Sequence, residues 1–551
     1  MEPAVTDALR RAEEVLRRGY EHLARHCSGD ARARAAQLDE CQLECFDLAW
    51  SSAGLAAARA TVDYAARATD ALAQPLCNLF VAETLQDLVS RLSIRAADYG
   101  LVSTDVESIA PSRVNELAKA ASTEQLRRIG NALIEGTAAL PRRLLNAEQE
   151  LIWESFARFA AEVLAPCAQD IHCSDLDIPE SVLRAAADIG LFKVSVPCRY
   201  GGLQPDEQPD TLAMVVATEA LSEVSLGAGG SLITRPEILV RALLAGGTSE
   251  QQRHWLPRLA SGQTLCAVSI TEPDYGSDVA SLRLRATRSA NAWCLSGTKT
   301  WCTFAGRADV LLVLARSDPD LALGHRGLSL FLVEKPPFPG HEFSYRSPAG
   351  GRLSGRAIST IGYRGMHSFE LFFDDVIVPL DALVGGAEGL GKGFYFAMKG
   401  FSGGRLQTAA RANGVMLAAF NAALDYARSR KVFGRSLGDY ALTQSKIARM
   451  AAALTATQQF AYATAARVDS GEGDLEASLV KLFASRTAEW VSREAMQLHG
   501  GLGYASESAV SRLFVDARVL SIFEGTEETL ALKVIAREFL AEAAHHAGGA
   551  K

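Results

Sequence analysis

The sequence predicts an α+β protein, mainly α, with a small β domain set between helical blocks. Three observations carry that prediction. Apolar residues recur at three- and four-residue steps in the first and last parts of the chain, the period of a helix with one buried face. Short β-prone runs, separated by polar or glycine-bearing turns, crowd between Cys266 and Val378. Strands and helices do not alternate as βα units, which excludes a doubly wound sheet. A chain of 551 residues, 48% apolar and 22% charged, can bury a large core and should divide into several domains. The boundaries fall at 1–145 (a helical extension), 146–265 (a helical domain), 266–390 (the β domain) and 391–551 (a helical bundle).

In the extension, Leu9, Ala12, Leu16, Tyr20, Leu23 and Cys27 form one apolar stripe, and Leu76, Leu79, Leu85, Leu88 and Leu92 nearly form another. Pro75 reads as the break between two helices, and Ser103 to Ser112, with Pro111 inside it, as a loop. Nothing here gathers acids, bases or metal ligands, so a packing or interaction role is expected. After Pro141, Asn146 with Gln149 three residues later is a capping-box pattern ahead of a helix to about Leu164. Helical texture returns at Ser181–Ile189 and Glu250–Leu259. The β-prone runs are 267–270, 282–287, 310–314, 328–333 and 369–378, and Leu282, Leu284 and Ala286 alternate with Arg283, Arg285 and Thr287 as in a half-buried strand. From Gly393 onward Ala409, Ala412, Met416, Ala419, Ala423 and Ala427 make a small-residue seam suited to close helix packing.

Several function classes fall away. With 56 Lys+Arg against 64 Asp+Glu, a net charge of −8, there is no basic excess for nucleic acid. No apolar run reaches the roughly 18 residues that cross a bilayer, and the first residues lack the basic stretch and apolar core of a signal peptide. Ten cysteines are too dilute for a disulfide scaffold, so reduced thiols in a cytoplasm are expected. Gly385–Gly393 and Gly500–Gly503 follow no strand of a βαβ unit and precede no Lys-Ser/Thr, so neither is a nucleotide fingerprint. No metal is expected.

The chemistry-bearing segments are Thr271-Glu272-Pro273-Asp274-Tyr275-Gly276-Ser277-Asp278, Lys299-Thr300-Trp301-Cys302-Thr303, Arg430-Lys431-Val432-Phe433-Gly434, Gln497-Leu498-His499-Gly500-Gly501-Leu502-Gly503-Tyr504 and Ile522-Phe523-Glu524-Gly525-Thr526. The first is physically a turn, in which Pro273 fixes φ and Gly276 permits a tight approach. Together, in this order and spacing, the segments resemble the acyl-CoA dehydrogenase family over roughly residues 146–545. The resemblance implies a helix–β–helix core, bound FAD and an acyl-CoA substrate. It implies that Thr271 and Ser277 line the flavin, Ser277 also at the start of the acyl-CoA channel. Trp301 and Thr303 then flank the isoalloxazine, the threonine hydroxyl near N5. Arg430 and Phe433 reach the FAD of a neighbouring subunit in a homo-oligomer, the guanidinium at its pyrophosphate. Gln497, Gly501 and Thr526 add cofactor contacts, and Arg405 adds a substrate contact.

The resemblance makes Glu524 the base that removes the α-proton while the β-hydrogen leaves as hydride. That works only if the thioester carbonyl is hydrogen-bonded as it gains enolate character. Some relatives carry the base immediately before the arginine matched by Arg405; Gly404 stands there in this chain, so Glu524 has no rival. Ser402, Ala441, Glu528 and Cys302 depart from common family residues. The extension, with the segments 230–238, 350–366 and 406–411, resembles members acting on methylsuccinyl-CoA and passing electrons to an electron-transferring flavoprotein. Such a substrate has a second carboxylate that needs a cation when buried. Arg235 is the first candidate and Arg364 the second; a structural ion pair is the alternative for each. The extension leads us to expect a dimer, with a tetramer the alternative. Competing readings are a dehydrogenase for a short branched monocarboxylic or carrier-bound thioester, an oxygen-using oxidase, and a flavin-binding relative without turnover.

Overall fold

A computed structural model describes residues 3–26, 38–207 and 209–548; Cys27, the last member of the first apolar stripe, lies outside them. The chain forms two compact units, residues 1–148 with 408–551 and residues 149–407.

The first unit is helical. The helix Pro3–His26 packs against Arg537–Gly548, and the helices Gln42–Ala65 and Ala73–Ser93 pack on each other and on Ala441–Asp469. The residues read from sequence as an extension of their own thus build one core with the last bundle. Gln42–Ala65 shows why: Leu48, Ala49, Ala53, Ala57, Ala58 and Val62 are buried together with Ser51 and Thr61, so the helix is covered on several faces. The helix Thr123–Glu135 lies along Ala441–Asp469, so closely that a Cβ on Gly130 would meet the Gln444 carbonyl oxygen at 2.1 Å. Pro75 does not divide two helices; it sits in the first turn of Ala73–Ser93, where its missing N–H costs nothing. The expected loop at 103–112 contains a short helix, Ser103–Glu107, and the start of a 3₁₀ turn, Pro111–Arg113.

The second unit carries the sheet. Its strands are β1 (Cys266–Ser269), β2 (Arg285–Arg288), β3 (Ala292–Thr303), β4 (Val310–Arg316), β5 (Leu328–Glu334), β6 (Glu342–Arg346), β7 (Arg352–Ile358) and β8 (Ser368–Pro379). They run in the order β1-β4-β2-β3-β8-β7-β6, with β5 also on β4. β1 and β4 pair in parallel, and β3 pairs antiparallel with β8. The continuous apolar run of β4 is buried along its whole length, as a central strand requires. In the 350–366 segment β7 comes first, and 359–367 is the irregular part. β3 escaped the sequence reading because Ser296, Gly297 and Lys299 interrupt its apolar pattern. It pairs with β8 through two register shifts, the second between Lys299 and Cys302.

Candidate active site

That second irregularity sets the geometry around Trp301. A bulge inserts an unpaired residue and re-aims its side chain. Trp301 takes φ 58° and leaves its indole 56% exposed, whereas Cys302 and Thr303 on either side of the pleat are buried. The Thr303 hydroxyl pairs with that of Ser368 at 2.9 Å. The Thr271 carbonyl accepts from the Thr300 N–H at 2.9 Å, joining the first two motif segments side by side. Ser277 lies exposed on the same turn.

What holds those two segments together is a pair to which the motifs themselves assign no role. The Lys299 ammonium is fully buried and donates to the Ile270 carbonyl at 2.7 Å and to Glu272 Oε1 at 2.9 Å. Glu272 also accepts the backbone N–H groups of Arg283 and Leu284, each at 2.8 Å. Burial pushes the Lys299 amine below the ordinary lysine range, and the Glu272 charge pulls it back. A buried cation with a carboxylate and a carbonyl around it is a fixed joint between the 271–278 turn and β3.

The two candidate arginines are also in this unit, in different circumstances. Arg364 is engaged on every side: it donates to the Thr360 and His172 carbonyls, and its Nε lies 3.2 Å from Asp175 Oδ1. Arg235, only 8% exposed, opens the helix Thr234–Gly246. Its one hydrogen bond goes to the Ser231 carbonyl at 3.3 Å, and its guanidinium lies 5.8 Å from the Tyr363 ring centre. Among the described residues no carboxylate lies within ion-pair distance of it. Arg405 is half-buried on the helix Gly393–Ser429.

In the helical unit, Glu524 occupies the turn between the helix Ala509–Leu520 and the short helix Glu527–Leu530, at φ 54°. A non-glycine residue there is strained and persists because its surroundings hold it. Arg411 Nη2 donates to Glu524 Oε1 at 2.8 Å, and the Thr408 hydroxyl donates to Oε2 at 2.9 Å. Arg411 also reaches Thr408 Oγ1 at 2.8 Å and lies 4.6 Å from the Phe523 ring centre. It is 0% exposed. From below, the buried Lys481 donates to the Gly525 carbonyl at 2.6 Å. Arg411 and Thr408 belong to the segment 406–411, which the sequence reading used only as a family likeness; the signal was an arginine amid the alanines of a small-residue seam. Thr526 caps the next helix, accepting from Thr529 N–H at 3.3 Å.

The remaining candidates stand at the surface of the same unit. Arg430 leads into a hairpin of Lys431–Val432 and Arg435–Ser436 whose two-residue turn is Phe433-Gly434, at φ 49° and 82°. The turn leaves Phe433 96% exposed. Gln497 is exposed near the end of Asp474–His499, and no atom lies within 4 Å of where a Cβ on Gly501 would sit. The Phe433 ring held outward on strained backbone, the Arg430 guanidinium three residues before it and the open space at Gly501 are chemically suited to a flavin dinucleotide, with its flat ring and its pyrophosphate.

Comparison with known proteins agrees. Models of the acyl-CoA dehydrogenase N-terminal, middle and C-terminal domains match residues 146–263, 267–376 and 391–540. The chain is 41% identical over 406 residues to a (2S)-methylsuccinyl-CoA dehydrogenase of Cereibacter sphaeroides, covering 74% of this chain and 72% of the relative. It is 33% identical to a mitochondrial 2-methylacyl-CoA dehydrogenase of Solanum tuberosum, covering 72% and 91%. Butyryl-CoA dehydrogenase from Megasphaera elsdenii superposes with a TM-score of 0.66 at 28% identity, over 72% of this chain and 99% of that one. The sheet with its exposed indole, the held glutamate and these likenesses converge: the chain belongs to the acyl-CoA dehydrogenase family of FAD-dependent oxidoreductases acting on CH–CH bonds.

Proposed function

We propose that the protein oxidises a short branched dicarboxylic acyl-CoA, (2S)-methylsuccinyl-CoA to mesaconyl-CoA, and passes the electrons to an electron-transferring flavoprotein. FAD, when bound, supplies the two-electron oxidant that accepts the β-hydrogen as hydride. Glu524 takes the α-proton onto a carboxylate oxygen, and Arg411 and Thr408 hold that carboxylate in place before substrate arrives. Trp301 and Thr303 flank the ring, Thr271, Ser277, Gln497, Gly501 and Thr526 line the cofactor and the channel, and Arg430 with Phe433 serves a neighbouring subunit. Arg405 contacts the substrate.

The observation that carries the substrate reading is Arg235, a buried guanidinium with a carbonyl and an aromatic ring as neighbours and, among the described residues, no carboxylate within ion-pair distance. An unanswered buried cation is costly, and a substrate carboxylate would answer it. Arg364, with Asp175 and two carbonyls, has a structural role instead. The 41% identity to a methylsuccinyl-CoA dehydrogenase points the same way. Arg235→Met should raise KM for methylsuccinyl-CoA by roughly 30-fold or more, the scale of losing a buried charge partner, with little change for butyryl-CoA. Equal effects on both thioesters would remove Arg235 from this role.

A further inference from the structure

A cluster to which no role has been given brings together two histidines and two aspartates from three distant parts of the chain. Asp175 and Asp177 follow the helix Ala165–Ser174, His341 precedes β6, and His367 precedes β8. All four lie in the sheet-bearing unit. One ligand atom each from Asp175, His341 and His367 falls within 4.8 Å of the other two. His367 is buried, and its Nδ1 lies 2.9 Å from Asp177 Oδ1, while Nε2 lies 3.3 Å from Asp175 Oδ1. The His341 and His367 rings approach to 4.1 Å between centres.

We propose that Asp175, His341 and His367 bind a single divalent first-row transition ion, zinc being the best match, with Asp177 orienting His367. Two imidazoles and one carboxylate are an established donor set for such ions, with a fourth position left to water. A ligating histidine characteristically turns its other ring nitrogen to a carboxylate, which fixes the ring and strengthens the donor. Asp177 stands in that position, and it is itself fixed by the Gly340 N–H at 2.8 Å, next door to His341. The Arg364 Nε beside Asp175 fixes that ligand in the same way.

An ion-pair clasp alone would account for His367 between its two aspartates. It gives no reason for a second histidine ring to lie against the first, where two imidazoliums would repel; a shared ion does. Four-coordinate zinc needs ligand atoms about 3.3 Å apart, so from within 4.8 Å the set must contract by up to about 1.5 Å. His341 is exposed and has the freedom to move in. The ion would tie the end of the helix Ala165–Ser174 to the entry of β8, one residue before the Ser368 hydroxyl that pairs with Thr303.

The test uses the FAD-loaded full chain, stripped with a chelator and titrated with zinc chloride by calorimetry, with retained metal counted after gel filtration. The expected result is one zinc per chain, weakened at least tenfold in His341→Ala and about 10- to 100-fold in Asp177→Asn. His341→Ala should retain its flavin and its turnover, because it touches no part of the catalytic machinery. Zinc should also raise the Tm of the wild type and leave that of His341→Ala unchanged. Equal zinc binding by wild type and His341→Ala, as exposed thiols such as Cys173 and Cys198 would give, overturns the proposal, and so does absence of binding.

Discussion

Two buried cation–carboxylate pairs, one in each unit, look alike and do different work. In the sheet-bearing unit Glu272 receives the Lys299 ammonium and two backbone N–H groups, two bonds on Oε1 and one on Oε2. In the helical unit Glu524 receives one guanidinium N–H and one hydroxyl, on backbone at φ 54°. A carboxylate holds about four acceptor sites. Glu272 spends three of them on a joint, two of these to fixed backbone, whereas Glu524 spends two, both to side chains that can follow it, and keeps more capacity to take a proton. Under the function proposed above, burial and ion pairing do not single out the base; acceptor capacity left open on a strained, fixed backbone does.

The comparison can be broken at either pair. Glu524→Gln should lower flavin reduction by about 10²–10⁴-fold while leaving flavin content and unfolding midpoint near wild type. A large loss of stability would make Glu524 a joint as well. Lys299→Met leaves Glu272 buried with its charge uncompensated, and should cost about 3–5 kcal/mol in denaturant unfolding. Adding Glu272→Gln should recover part of that loss, and no recovery would mean that the pair is not the cause.

Arg411→Gln should slow turnover by on the order of 100-fold at most, the scale of a misplaced reacting group, with Arg411→Lys partly restoring it. α-Hydrogen exchange in D2O, measured with an acyl-CoA that has no β-hydrogen, should fall in parallel. Unchanged exchange would show that Arg411 acts on something other than the base.

The effect that is smallest per pH unit concerns Lys335, a buried amine that donates to the Gly306, Ala308 and Pro336 carbonyls. Burial pushes its pKa down to about 7. Above that pH the unfolded chain binds a proton that the folded chain lacks, so this group makes stability rise with pH between about 7 and 10.4. Its slope is at most about 1.4 kcal/mol per pH unit. Lys335→Met should remove that contribution from the difference between the wild-type and variant stability curves.

What the sequence made legible follows contiguity. The segments 271–278, 299–303, 430–434, 497–504 and 522–526 can each be read from neighbouring residues, and so can the helical and β texture around them. Partnerships between distant residues could not. Arg411 and Glu524 are 113 positions apart, and an arginine among alanines carries no sign of its partner. The apolar stripes of the extension declare a buried face and not what covers it, so their union with the last bundle had to come from the fold. β3 was missed because Ser296, Gly297 and Lys299 interrupt its apolar pattern, and the bulge beyond Lys299 that exposes Trp301 breaks the alternation again. The sequence ranks Arg235 ahead of Arg364 but shows neither one's partners; Asp175, 189 positions from Arg364, and the His172 carbonyl engage the second.

The most direct measurement is anaerobic bleaching of the flavin in the purified protein by methylsuccinyl-CoA, butyryl-CoA and isobutyryl-CoA, each added separately. Rapid loss of flavin absorbance with methylsuccinyl-CoA, and slow or no loss with the two monocarboxylic thioesters, is the predicted result. Preferential bleaching by either monocarboxylic thioester would contradict it, leaving the dehydrogenase and removing the dicarboxylic substrate.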